Sequence, residues 1–106
     1  MVKKRIAFKS QLLKGKAAEY QRRHNALWPE MRELIRNNTG SNYSIFVDAG
    51  TDTLFGYVEI EDEAKWSSGG ASEVCRRWWD YMADIMETNP DNSPVSSSLK
   101  EVFHLD

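Results

Sequence analysis

The chain has 106 residues, of which 41% are hydrophobic and 28% charged, and this is the composition of one ordinary globular domain. Sixteen acidic against fourteen basic residues give a formal net charge of −2, which offers no electrostatic surface for nucleic acid or an anionic membrane. A neutral small molecule or another protein is the expected partner.

Cys75 is the only cysteine, so an internal disulfide is excluded and a reducing compartment is favoured. The basic N-terminus runs directly into an alternating segment instead of an apolar export signal, and no apolar run is long enough to cross a bilayer. We therefore expect a single domain over residues 1–106, located in the cytoplasm.

The first half of the chain predicts a strand, a helix and a second strand. Residues 5–12 alternate, with Ile6 and Phe8 on one face, which is typical of a half-buried strand. From Lys16 to about Asn38, apolar and aromatic residues recur at spacings of three and four, which predicts one helix. Pro29 disturbs that helix by removing a backbone hydrogen bond, and the alternative is that Pro29 begins a second helical segment.

The second half predicts a hairpin, two helices and a final strand. The hairpin pairs residues 42–48 with residues 53–61, and within it Leu54 and Val58 share one face with Gly56 while Phe55 takes the other. A short helix should contain Trp66, a longer helix should begin near residue 72, and the last strand should run over residues 99–105.

The element order is therefore βαββαβ, which predicts an α+β fold of the ferredoxin-like type, with both helices on one face of an antiparallel sheet. The other face would carry Phe46, Phe55, Tyr57 and Phe103 among polar residues. Because an exposed apolar patch of this kind usually marks an interface, we expect a homodimer packed sheet to sheet.

Tyr20 and His24 are four residues apart, so they share a helix face and form a plausible acid/base pair. An imidazole titrates near neutrality, and a phenol can relay a proton or orient its partner. The pair alone, however, is more often an ordinary structural contact.

Trp78 and Trp79 are adjacent and flanked by charged residues, a combination that suits a sugar, whose C–H faces stack on indoles. On spacing alone, a core role is the more frequent one. The arginine pairs 22–23 and 76–77 are interpreted as solvated, and His24 with His104 is a poor signal for a metal site. No phosphate loop, nucleophile elbow or dinucleotide fingerprint is present.

Four motifs in the same order resemble the L-rhamnose mutarotase family, and together they cover nearly the whole chain. They are Tyr-Gln-Arg-Arg-His-Asn-Ala-Leu-Trp-Pro-Glu at 20–30, Asn-Tyr-Ser-Ile-Phe at 42–46, Val-Cys-Arg-Arg-Trp-Trp-Asp-Tyr-Met at 74–82, and Asn-Pro-Asp-Asn-Ser-Pro-Val-Ser-Ser at 89–97. The resemblance implies a dimeric ferredoxin-like barrel and an isomerase that exchanges the α and β anomers of L-rhamnose, with neither a metal nor a cofactor.

The resemblance also assigns roles. The catalytic histidine of the family falls on His24 and a substrate-contacting tyrosine on Tyr20, while further sugar contacts match Tyr43, Trp78 and Trp79. We expect His24 to act as general acid and base, with Tyr20 orienting it or the sugar. Two alternatives stay open at this point: a small dimeric monooxygenase or cyclase of the same fold, and a non-catalytic sugar-binding module.

Overall fold

A computed structural model describes residues 3–106 of the chain. Its strands and helices follow the order β1 (Lys4–Gln11), α1 (Ala17–Asn25), α2 (Pro29–Asn37), β2 (Ser41–Asp48), β3 (Thr53–Ile60), α3 (Glu63–Ser67), α4 (Glu73–Met82) and β4 (Ser96–Leu99). The four strands form one sheet in the order β2-β3-β1-β4, and every neighbouring pair is antiparallel. The ferredoxin-like α+β fold is therefore confirmed.

The prediction of one helix between residues 16 and 38 was wrong, because the chain forms two helices there. Proline has no backbone N–H to donate, and Pro29 occupies the first position of α2, where a helix leaves that donor unused. Trp28, which precedes it, has the extended backbone that a following proline favours. The alternative in which Pro29 begins a second segment is the correct one.

The prediction of a last strand over residues 99–105 was also wrong. Strand β4 pairs with β1 from Ser96 opposite Ser10 to Leu99 opposite Ala7, and the residues after Leu99 belong to no strand. There the chain is attached by side chains, since Arg5 Nε lies 2.6 Å from a carboxylate oxygen of Glu101. Among residues 3–106, the segment 100–105 therefore pairs with no strand, and Phe103, expected on the sheet, lies outside it.

The two faces of the sheet differ as predicted. On the face covered by helices, Leu54, Val58 and Ile60 are buried, whereas Phe46 and Phe55 are exposed on the opposite face. The largest group of buried side chains lies between that inner face and the helices, and its members are Leu12, Met31, Leu54, Cys75, Trp78, Met82, Ile85 and Met86. Within residues 3–106, no helix has the length and apolar character needed to cross a membrane.

Candidate functional site

A cleft of about 1510 Å³ opens between the helices and the inner face of the sheet. All five side chains singled out in the sequence line it: Tyr20 and His24 from α1, Tyr43 from β2, and Trp78 and Trp79 from α4. The fold thus brings together residues that are separated by up to 59 positions in the chain.

His24 is held by contacts within its own helix. Its ring stacks on that of Tyr20, with ring centres 4.1 Å apart, and His24 Nδ1 lies 3.1 Å from the backbone carbonyl oxygen of Tyr20. A carbonyl oxygen can only accept a hydrogen bond, so Nδ1 carries the proton and donates it. In the neutral ring, Nε2 is consequently the nitrogen with a free lone pair.

The protonation state of His24 is set mainly by burial. The edge of the His24 ring meets Trp78, with ring centres 5.4 Å apart, and this packing removes water from the imidazole. Burial lowers the pKa of His24, and the hydrogen bond to the Tyr20 carbonyl opposes that shift only in part. His24 is therefore a neutral base at pH 7.

Two phenols in the cleft stay protonated across the physiological range. Burial raises the pKa of Tyr20, and the neighbouring Tyr43 raises it further. Burial likewise raises the pKa of Tyr43 to about 12. The Tyr43 ring is bounded by Phe8 and Trp66, at centre distances of 6.2 and 6.0 Å. Both hydroxyls can donate hydrogen bonds to a ligand, but neither can serve as a base near neutrality.

The two adjacent tryptophans have different surroundings. Trp78 belongs to the buried core and packs edge to face with Trp28, at a centre distance of 5.0 Å. Trp79 is half-buried, and its ring lies so close to Gly70 that a Cβ there would come within 3.0 Å of it. Trp28 therefore supports the site from behind, and the absence of a side chain at Gly70 leaves room for Trp79.

Arg23 does not match the interpretation of the arginine pairs as solvated. Only 10% of its side chain is exposed, against 65% for Arg22. Its guanidinium binds Glu19 at 2.7 Å, Asp84 at 2.8 Å and the Tyr81 carbonyl at 2.8 Å. Arg23, which directly precedes His24, thus connects α1 to the end of α4.

The sheet contributes a wall that the sequence did not reveal. The ring of Phe8 lies directly over Gly56, where any Cβ would clash with it. Ser10, next on the same face of β1, is buried and also lines the cleft. The alternation of β1 placed these side chains on the inner face, but nothing in it indicated a site.

His104 does not join this site. It lies in the C-terminal segment, where its Nε2 contacts Asp106 at 2.7 Å, and it does not line the cleft. Over residues 3–106, no three His, Cys, Asp or Glu side chains are grouped in a way that could hold a metal ion.

Comparison with known proteins identifies the family. The family model described as L-rhamnose mutarotase matches residues 5–105 of the chain. The chain belongs to the L-rhamnose mutarotase family. An L-rhamnose mutarotase from Lachnoclostridium phytofermentans is 63% identical over 102 residues, which are 96% of this chain and 98% of that protein.

Solved structures agree with the family and the fold. The crystal structure of an L-rhamnose mutarotase from Formosa agariphila superposes with a TM-score of 0.90 at 46% identity, covering 97% of this chain and 99% of that one. A putative antibiotic biosynthesis monooxygenase from Nitrosomonas europaea gives a TM-score of 0.63 at 11% identity, covering 95% and 91%. That second likeness shows the fold alone, so the monooxygenase alternative gains no functional support from it.

Proposed function

We propose that this member of the L-rhamnose mutarotase family interconverts the α and β anomers of L-rhamnose, with His24 as general acid and base. The observation that carries the proposal is the hydrogen bond from His24 Nδ1 to the Tyr20 carbonyl, at 3.1 Å. It leaves Nε2 unprotonated in a cleft lined by aromatic rings and neutral hydroxyls.

The reaction balances with one proton carrier. His24 Nε2 removes the proton from the anomeric hydroxyl, the bond between the anomeric carbon and the ring oxygen breaks, and the imidazolium returns the proton to the ring oxygen. Both oxygens are bonded to the same carbon, so one imidazole can reach each in turn. Rotation of the free aldehyde exposes its other face, and the reverse steps close the second anomer.

The other side chains bind and orient. The ring and carbonyl of Tyr20 fix the imidazole, and its hydroxyl is available to donate a hydrogen bond to the sugar. The Tyr43 hydroxyl donates to a second sugar oxygen, and the indoles of Trp78 and Trp79 cover the apolar side of the sugar and its methyl carbon. None of these steps requires a metal or cofactor.

Saturation-transfer NMR on L-rhamnose tests the proposal, because irradiating the anomeric proton of one anomer reduces the signal of the other as they exchange. Adding the enzyme should raise the exchange rate in proportion to its concentration. Exchange that stays at its spontaneous rate would refute catalysis. Binding without faster exchange would support a sugar-binding module instead.

We also propose that two copies of the chain pair through the outer face of the sheet. Phe46 is 68% exposed, and Phe55 and Leu99 on the same face are each about two-fifths exposed. Beyond β4 the chain carries further exposed apolar side chains, Val102, Phe103 and Leu105, which its own fold leaves uncovered. A second copy would bury these surfaces together.

Light scattering of the purified protein tests the pairing. The wild type should have twice the mass of one chain, and Phe46→Glu should have the mass of one chain, because a carboxylate would be buried without a partner. Glu33→Lys, a charge change at an exposed position of helix α2 and away from the outer face of the sheet, is the control and should leave the mass unchanged. A monomeric wild type would contradict the proposal.

We further propose a cytoplasmic location, which suits the free and buried thiol of Cys75. Fractionation of the source cells should recover the protein with cytoplasmic enzymes, and recovery from an oxidising compartment would contradict this.

A further inference from the structure

Among the buried residues of the described range, Ser10 is the one that apolar packing does not explain. It is 7% exposed, and within residues 3–106 it is the one buried residue whose side chain is polar. It faces inward from β1, opposite Leu54 of β3. A hydroxyl buried among apolar side chains costs free energy unless a hydrogen bond compensates, so its presence calls for a partner.

No group within residues 3–106 is that partner. Ser10 Oγ forms no hydrogen bond within residues 3–106, whereas every fully enclosed polar side-chain atom in that range has a partner. The hydroxyl of Ser10 is therefore not fully enclosed, and it opens onto the cleft that this residue lines. What enters the cleft can reach it.

The size of the cleft makes such a contact useful. At about 1510 Å³ the cleft exceeds the roughly 300–1,000 Å³ of pockets that hold drug-sized ligands, so a monosaccharide fills only part of it. A sugar that fills only part of the cleft would gain a defined orientation from directed hydrogen bonds on more than one wall. His24 and Tyr20 can supply hydrogen bonds from α1, and Ser10 lies on strand β1 at the opposite wall.

We propose that Ser10 is a specificity-determining residue that hydrogen-bonds a ring hydroxyl of the sugar other than the anomeric one. The inference builds on the proposed function, because it places the anomeric carbon at His24. A pyranose held with that carbon at the helix wall turns a different edge to the sheet, and there the Ser10 hydroxyl meets a secondary hydroxyl, as donor or as acceptor.

A chemical double-mutant cycle tests this contact. The substrates are L-rhamnose and its 2-, 3- and 4-deoxy derivatives, and the enzymes are the wild type and Ser10→Ala. Removing the contacted hydroxyl should lower kcat/KM of the wild type about three- to tenfold and leave Ser10→Ala unaffected. The other two deoxygenations should affect both enzymes equally. Identical responses of the two enzymes to all three derivatives would overturn the proposal.

Stability separates a binding role from a structural one. Ser10→Ala removes a hydroxyl that forms no hydrogen bond within residues 3–106, so its thermal midpoint without sugar should equal or exceed that of the wild type. A lower midpoint would show that the hydroxyl supports the fold, and would overturn the proposal. Ser97→Ala is the matched control, since Ser97 faces the other side of the sheet opposite Lys9 and should match the wild type in both assays.

The proposed function can fail independently. If the wild type does not accelerate anomer exchange in L-rhamnose, the mutarotase proposal fails, and the same cycle is then read from dissociation constants measured by titration calorimetry. A selective loss of affinity would support the Ser10 contact even then. Absence of sugar binding would refute it as well.

Discussion

The two walls of the cleft are built on different principles. The helix wall, which carries Tyr20 and His24 of α1, holds the proposed acid/base group by contacts close in sequence, since His24 stacks on Tyr20 and bonds the Tyr20 carbonyl one turn earlier. The sheet wall depends on strand pairing, which sets Phe8 over Gly56 and places Ser10 beside it. A short segment can therefore orient the proposed acid/base group, whereas the shape of the opposite wall depends on the assembled sheet.

The largest expected effect comes from replacing His24, the proposed general acid and base on the helix wall. His24→Gln keeps a polar side chain of similar size but cannot exchange protons near pH 7, so kcat for anomer exchange should fall about 10²- to 10⁴-fold. The measurement is saturation-transfer NMR, with circular dichroism to show that the fold is retained.

Tyr20→Phe is the matched control for that variant. It keeps the stacked ring and the backbone carbonyl and loses only the hydroxyl, so its kcat/KM should fall about tenfold or less. If Tyr20→Phe were as inactive as His24→Gln, the phenol itself would take part in proton transfer, and the assignment of the helix wall would be wrong.

Gly56→Ala should disturb the packing of the sheet wall between Gly56 and Phe8. The added methyl group meets the Phe8 ring, and overpacking of this kind should lower the free energy of unfolding by about 1–3 kcal/mol and weaken sugar binding. Denaturant unfolding and the KM for L-rhamnose measure the two effects. Gly50→Ala, in the turn after β2 where a Cβ would make only ordinary contact, should change stability by less than about 0.5 kcal/mol. Equal effects at both glycines would contradict the proposed packing.

A smaller effect is expected where the helix wall is anchored. Arg23→Gln loses the contacts to Glu19, Asp84 and the Tyr81 carbonyl, so α1 should shift relative to α4 and kcat should fall on the order of tenfold. Arg22→Gln is the control, because the Arg22 side chain is mostly exposed and pairs with Glu19 on its own helix. The thermal midpoint should drop more for Arg23→Gln. A larger drop for Arg22→Gln would contradict an anchoring role.

The smallest effect is a pH dependence. Burial lowers the pKa of His24 below its usual value of about 6.5, and the proposed mechanism takes the neutral imidazole as the base. As pH falls, protonation removes the base, so kcat/KM should be flat from pH 8 to 7 and decline only below about 6.5. The unfolded chain also binds this proton more readily, so His24 should reduce stability over the same acidic range. An acid limb with its midpoint above 6.5 would contradict the burial of His24.

The sequence predicted the fold well where one face of an element is buried. The alternation in β1 and β3 predicted which side chains point inward, because burial imposes a period of two. It failed at β4, where the pairing sequence is Ser-Ser-Ser-Leu and its place is set by the open edge of β1. It also failed to divide the helix at Pro29, since the apolar spacing continues across the break.

The five proposed site residues could be named because aromatic and titratable side chains are conspicuous in a sequence, and the resemblance to a family suggested their roles. Ser10 and Arg23 were missed for the opposite reason. Serine in a strand and arginine on a helix are ordinary surface residues, and only the burial of the first and the three contacts of the second distinguish them. Such properties arise from tertiary packing and leave no local pattern.

The placement of the indoles has an optical consequence. The chain contains four tryptophans, of which Trp66, Trp78 and Trp79 line the cleft and Trp28 packs on Trp78 at 5.0 Å. The ultraviolet emission of the protein therefore originates almost entirely around one cavity. A sugar bound in the cleft should displace water from the half-buried Trp79, so the intrinsic fluorescence of the unlabelled chain should change with occupancy, and a titration needs no dye.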